Sequence, residues 1–421
     1  MQRAIGVVWL GLVTLLSGAA VWAEEYRPGD KVVVIENGNL TISGNKVVDT
    51  VWPGLVLTVG DTNGEWIWLS NGKPGWLQSK SVIPLDRRAI DRLTTMIKAN
   101  PTAALYSGRA DIWEKLGELD IAIADYNEAI RLAPSASNYN NRGNAWLSKQ
   151  DYDKAIRDYD EAIRLDPKFK AAHNGRGSAW LSKQENDKAI RDYDEAIRLD
   201  PKDAYAYYNR GNVWKSKQDY DKAIRDYDEA IRLDPKFTLA YYNRGNAWSA
   251  KQEYDKAIAD YREALRIDPK SDHLHFTIGV AHFHTHDSQA SDQFQACIDN
   301  QGWTGSYAVY AVILGSQSAQ LMGNAVGAKK FLDDSAGKLK TEWPYPVVQL
   351  LRGELDEPGV LALATDNDKL TGAHCYLGIQ QLIASHPEDA RTHFHWVRDH
   401  GNKGFTEYGI AIAELKRLDQ K

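Results

Sequence analysis

Five histidines crowd one short stretch, HLHFTIGVAHFHTHD, at positions His273, His275, His282, His284 and His286. Imidazole is a common metal ligand, and His282 and His286, four apart, would share one face of a helix. A metal site needs three or four donors, typically with a thiolate or carboxylate among them, and none stands here at ligand spacing. The expected use of these rings is therefore packing between helices, with no metal bound. Other reactive patterns are missing: there is no G-x-S-x-G, G-x-G-x-x-G, Walker loop, H-E-x-x-H or C-x-x-C. No cofactor is implied and catalysis is not expected. Recognition has better candidates. Asn140, Asn144, Asn174, Asn209, Asn212, Asn243 and Asn246 carry amides that donate and accept together, as a peptide backbone requires. Tyr205, Tyr208, Tyr242 and Phe276 offer large apolar faces, the usual anchors of an interface.

The elements that must position these residues are written in a repeat. DKAIRDYDEAIRLDPK stands verbatim at 153–168, 187–202 and 221–236, and Pro101, Pro134, Pro167, Pro201, Pro235 and Pro269 lie 33 or 34 residues apart. Within each interval the second half places Ala155, Ile156, Tyr159, Ala162 and Ile163 on one stripe of a helix. Its outer face is expected to carry the i, i+4 pairs Asp153→Arg157 and Asp160→Arg164, and Asp166-Pro167 ends it. The first half reads Y-x-x-R-G-N-x-W: Tyr139, Arg142, Gly143 and Trp146, then Tyr207, Arg210, Gly211 and Trp214, then Tyr241, Arg244, Gly245 and Trp248. Glycine recurs where two helices must approach closely, and the arginines are expected to pair with acids of the adjoining helix.

This pattern resembles the tetratricopeptide repeat, two antiparallel helices per 34 residues. One hairpin cannot bury its own stripe; stacked hairpins bury it against identical neighbours, so identical sequence is admissible in each. The fold class implied is mainly α, a right-handed α-α superhelix (solenoid). The expected organisation is a leading helix at 87–101, then six units in 103–304 (103–134, 136–167, 170–201, 204–235, 238–269 and 272–300). Degenerate repeat-like helices follow over 305–404 and a capping helix over 405–421. The resemblance places the asparagines and aromatic residues named above on a concave groove that would hold a protein or an extended peptide. In repeats that clamp a terminal carboxylate, two asparagines work with lysines and arginines. Asn212 and Asn243 match that pair, but Tyr208, His273 and Thr277 occupy the cationic slots, so an uncharged or aromatic-bearing ligand is expected. The last stretch, GFTEYGIAIAELKRL, together with the preceding YLG…DAR…F unit, resembles the tail of exported bacterial repeat scaffolds of the NlpI type.

The amino-terminal part has another character. Residues 1–23 combine Arg3, a short apolar run and small residues up to Ala23, which reads as a signal peptide cleaved after Ala23. The bland alternative is an uncleaved anchor; after cleavage no membrane span is expected. Over 26–86, short runs at Val32–Ile35, Leu55–Val59, Glu65–Leu69 and Trp76–Gln78 alternate with turn pairs such as Asn63-Gly64. This string, with G-x-W-x-W followed by G-K-x-G-W and V-I-P, resembles a small all-β bacterial SH3-like barrel. That resemblance implies a protein or cell-wall peptide as ligand, with Trp66, Trp68 and Trp76 in its core or on its binding surface.

Bulk properties agree with a scaffold. A net charge of −6 gives no general attraction to nucleic acid. The localisation expected is periplasmic or extracellular, and nothing indicates a homo-oligomer. Cys297 and Cys375 fall in different helical units, which argues against a bridge between them.

Overall fold

The structure, a computed structural model, describes residues 87–420 together with the backbone of seven strands nearer the amino terminus. The chain divides into two compact units, Met1–Pro201 and Lys202–Lys421.

In the first unit the strands are β1 (Lys31–Val34), β2 (Gly38–Ile42), β3 (Lys46–Val51), β4 (Val56–Asn63), β5 (Trp66–Leu69), β6 (Gly75–Gln78) and β7 (Val82–Pro84). They pair antiparallel in the order β3-β2-β6-β5-β4-β1-β7, with Trp68 opposite Trp76 in the register of β5 and β6. The pair β2–β3 was not among the runs expected from the sequence, where Asn37-Gly38 reads as a turn; β2 begins at Gly38. The side chains of Trp66, Trp68 and Trp76 lie outside the described residues, as does the signal segment at 1–23.

Helices follow in pairs: α1 (Arg87–Ala99) alone, then α2 (Ala103–Lys115) with α3 (Leu119–Leu132), α4 (Ala136–Ser148) with α5 (Tyr152–Leu165), and α6 (Lys170–Ser182) with α7 (Asn186–Leu199). The pairs α4–α5 and α6–α7 are locked by the same device. A Cβ added to Gly143 would stand 2.8 Å from Cε1 of Tyr159, and one on Gly177 would stand 2.9 Å from Cε1 of Tyr193. At this spacing glycine lets the second helix seat its tyrosine, whereas the first pair packs the equivalent Tyr126 with Ala110. Beside this contact the arginine of the first helix grips a buried aspartate of the second with two hydrogen bonds: Arg109 on Asp125, Arg142 on Asp158 (2.7 and 2.6 Å) and Arg176 on Asp192. A planar guanidinium meeting a carboxylate this way fixes direction as well as distance. Burial works against ionisation of Asp192, but hydrogen bonds from His173 and Arg176 outweigh it and hold the carboxyl below its ordinary value.

The i, i+4 pairs expected within α5 are not formed. Asp153 is held by Lys183 at 2.5 Å and Asp160 by Arg176 at 2.6 Å, both from the next hairpin, while Arg164 turns to Glu161. Cations on the neighbouring repeat reach these carboxylates, so the charges knit hairpins together along the stack.

The second unit continues with α8 (Ala204–Ser216) and α9 (Tyr220–Leu233), α10 (Thr238–Ala250) and α11 (Tyr254–Ile267), and α12 (Asp272–His284) and α13 (Gln289–Gln301). Beyond these come α14 (Ala308–Leu321), α15 (Ala325–Asp334), the short α16 (Tyr345–Leu351) and α17 (Glu357–Leu363), then α18 (Asn367–Ile383), α19 (Pro387–His400) and α20 (Thr406–Asp419). The glycine–aromatic lock persists with phenylalanine as the ring: Gly279 on Phe294, Gly315 on Phe331 and Gly378 on Phe394, each with an added Cβ at 2.8 Å or less. From α12 onward a shared core joins the helices, with Val312, Val348, Tyr376, Phe394, Ile410 and Leu415 buried in it. Cys297 and Cys375 are buried in α13 and α18 and are not bridged to each other.

Candidate interaction surface and the cavities under the last helix

In the first unit the candidate residues are largely committed to the fold. Asn144 accepts from the hydroxyl of Tyr159 at 2.8 Å, so its carbonyl oxygen already serves the fold. A buried tyrosine hydroxyl must find a partner, and in the next hairpin Ser178 meets Tyr193 at 3.0 Å in the same place. Asn140 is buried and donates to Asn141. Asn174 lies half-buried one turn before Ser178.

In the second unit the surface opens. Tyr205 is 63% exposed and Leu239, at the same place in the next hairpin, is 54% exposed. Tyr205 and Tyr208 both rest on Phe237, with ring centroids 4.8 and 4.9 Å apart. Asn209 sits half-buried on the next turn of α8. Asn212 and Asn243 do come together, but they bond to each other. Asn243 donates to Asn212 Oδ1 at 3.2 Å and to the Tyr208 hydroxyl at 2.9 Å, and Asn212 also accepts from Tyr227. One cation is present that sequence inspection passed over. Lys215 on α8 donates to Asn243 Oδ1 at 2.8 Å, and burial holds its ammonium below the ordinary lysine value. It follows Trp214 at an ordinary surface-like position, and only its place three residues after Asn212 hinted at its facing the same way.

Further along, the candidates are covered. Tyr242, Asn246, His273 and Phe276 line a cavity of about 570 Å³ whose other wall is the segment from Gly404 to Ala413, including the first two turns of α20. The Tyr242 hydroxyl lies 2.7 Å from Nε2 of His273, and Asn246 accepts from the Tyr261 hydroxyl at 2.8 Å. Phe276, expected on an open groove, is buried against Tyr307 and Phe294 because α14 and its preceding loop fold over it.

A polar latch holds α20 at this place. Glu414 is 2% exposed, and its Oε1 lies 2.8 Å from Nε2 of His286 and is bound by Arg417. Arg417 also donates to the backbone carbonyl of His284, while Lys416 reaches Gln252 at 3.1 Å. His284 stacks on Tyr254 at 4.7 Å, and burial first, then the charge of Arg417, pushes its pKa down to about 4. The remaining histidines separate: His275 meets Gln293 and His282 meets Asp287. His282 and His286 do not share a helix face, since α12 ends at His284 and His286 sits in the turn with φ of +52°. Among the described residues no three His, Cys, Asp or Glu side chains come together as metal ligands, and no helix is long and apolar enough to cross a membrane.

Models of the tetratricopeptide repeat match residues 87–137, 140–204, 204–237 and 238–271. That stretch of the chain is an array of tetratricopeptide repeats. No curated protein matches the chain. Similar solved structures include MamA, 29% identical over 38% of this chain and 95% of that one, with a TM-score of 0.35. YrrB, described as a repeat protein with an unusual peptide-binding site, is 24% identical over 42% of this chain and 92% of its own, with a TM-score of 0.34. PilF of Pseudomonas aeruginosa is 17% identical over 47% of this chain and 89% of that chain, with a TM-score of 0.41.

Proposed function

We propose that this protein is an exported, non-enzymatic scaffold that holds an extended polypeptide segment on the inner face of α8 and α10. The observation that carries the reading is the pair Tyr205 and Leu239, two large apolar side chains left mostly exposed at equivalent places in consecutive repeats. Leaving such residues in water wastes apolar burial that a partner would recover. Tyr208 and Asn209 beside them supply a ring and an amide. The groove positions around Tyr242 and Asn246 receive a segment only if α20 moves, so the segment is placed on the α8–α10 side. Export rests on the signal-like start of the chain, and kinship with NlpI-type scaffolds on its closing residues.

The test is selection of peptides from a random display library on the full chain. Peptides that bind should lose about tenfold in affinity with Tyr205→Ala, in line with removal of an aromatic anchor, while thermal stability stays unchanged. Selected peptides indifferent to both Tyr205→Ala and Leu239→Ala would overturn the assignment.

A second role belongs to residues 26–86. We read its antiparallel strands, with Trp68 opposite Trp76, as an SH3-like module, and the ligand we assign to it, on the resemblance of its sequence, is a cell-wall peptide. Sedimentation with purified wall sacculi should then depend on Trp68 and not on Tyr205. Sacculi that retain a Trp68→Ala chain as well as the wild type would exclude it.

A further inference from the structure

Behind the covered end of the groove lies a second cavity of about 570 Å³, within the range of sites that enclose a small molecule or one long side chain. Its walls are rings from separate elements: Phe276 of α12, Tyr307 and Tyr310 at α14, Trp343 before α16, and Phe405 ahead of α20. Phe276 and Tyr307 stack with centroids 5.0 Å apart, and Tyr310 meets Phe276 edge-on at 6.4 Å. The charged part of the lining is Asp366, Asp368, Glu407 and Lys369, three carboxylates against one ammonium. Lys369 is taken by Asp366 at 3.0 Å, and Asp368 accepts from Asn402 at 2.8 Å. Glu407 accepts from the buried Tyr376 hydroxyl through Oε1, at 2.7 Å. Its charge is felt across the cavity: burial first, then Glu407, raises the hydroxyl pKa of Tyr310.

We propose that this cavity binds an organic cation, an alkylated ammonium or a guanidinium carried on an apolar body. Ring faces attract a cation through their quadrupoles, and the half-buried Glu407 carboxylate adds to that attraction. A neutral apolar guest would gain the rings but would bury Glu407 without a counter-charge, which is costly. An anion would meet excess negative charge. The site shares Phe276, Tyr307 and the turn at 404–406 with the groove-side cavity but does not depend on a peptide lying against Tyr205. Its cation is either a free small molecule or a basic side chain of a polypeptide.

Isothermal titration of the full chain separates these cases with three probes: choline, N-acetyl-arginine amide, and 3,3-dimethylbutan-1-ol, a neutral isostere of choline. At least one cation should saturate a single site and bind about tenfold more tightly than the alcohol. Choline alone points to a free metabolite-sized cation, and the arginine derivative alone to a side chain; either result supports the site. Glu407→Gln should weaken the cation about tenfold. Because Glu407 also holds Tyr376, Phe405→Ala serves as the second variant: this loop ring is 38% exposed and makes no hydrogen bond through its side chain. It too should weaken binding with the melting temperature retained. No saturable cation binding, equal binding of the alcohol, or cation affinity unchanged in both variants would overturn the proposal.

Discussion

The hairpins from α4 to α11 and the helices from α12 onward close the same gap with different chemistry. In the first group the glycine faces a tyrosine, and the residue after the glycine (Asn144, Ser178, Asn212 or Asn246) hydrogen-bonds its hydroxyl. In the second group the ring is Phe294, Phe331 or Phe394, and Val280, Ser316 and Ile379 follow the glycines. The arginine–aspartate grip is likewise confined to the earlier hairpins, ending with Arg244 on Asp260; its arginine slot is filled by the buried Ile278 in α12. Ring size and glycine set the helix spacing in both groups. The polar groups fix orientation, and they are present only where each hairpin must dock on near-copies of itself. Where hairpins meet α20 and the short α16 and α17, a mixed apolar core does the orienting.

Breaking the grip should cost most. Asp158→Ala removes the counter-charge of Arg142, which keeps the neutral Asn127 Oδ1, and a loss of about 3 kcal/mol is expected in urea unfolding. A loss within error would mean the grip is ornamental.

The second group has its own weak point. The folded-state pKa of His284 is about 4 against an ordinary 6.5, so the unfolded chain takes up the proton first. The stability this histidine supports is present above about pH 6.5 and falls as pH drops toward 4, by up to about 3 kcal/mol. Comparing urea midpoints at pH 7 and pH 4.5 should show that fall, and His284→Phe should reduce it, leaving the share of His374, which burial also pushes down to about 4.

Both groups should suffer from a methyl on the shared glycine. Gly245→Ala and Gly378→Ala place Cβ 2.5 and 2.4 Å from a ring carbon, and each should cost about 1–3 kcal/mol. Equal losses would confirm that the spacing device is common to the two chemistries.

A smaller effect sharpens the difference. Asn212→Val removes one partner of the Tyr227 hydroxyl and should cost about 1–2 kcal/mol, whereas Asn212→Val with Tyr227→Phe rewrites the lock in the later style and should cost less. A double variant no better than the single would show that the two styles are not interchangeable.

The smallest change is a gain. Gln150, Gln184, Gln218 and Gln252 turn the chain at φ between 61° and 65°, a conformation glycine adopts without strain. Gln184→Gly should raise the thermal midpoint slightly, by about 0.5 kcal/mol of stability.

The regular hairpins were legible because sequence and surroundings repeat together: one stripe, one glycine and one arginine recur at fixed steps, and the arginines do take acids of the adjoining helix. Partner choice among surface charges was not legible. Asp153 and Asp160 have cations four residues away, yet those of the next hairpin reach them first. The same holds for the site. Tyr205 reads as an exposed ring at a groove position, while Phe276 is buried by the loop before α14, and the cover over Tyr242 depends on α20, more than a hundred residues distant in sequence. No local pattern reports such a contact.

The claim that the earlier hairpins carry the binding face can be tested by placing a photo-crosslinking amino acid at position 205, 239 or 326 of the full chain in its native host. Val326 on α15 is 83% exposed and serves as the reference in the later region. Crosslinks to a common polypeptide from 205 and 239 but not from 326 are predicted. Crosslinks from 326 alone, or equally from all three, would contradict the account.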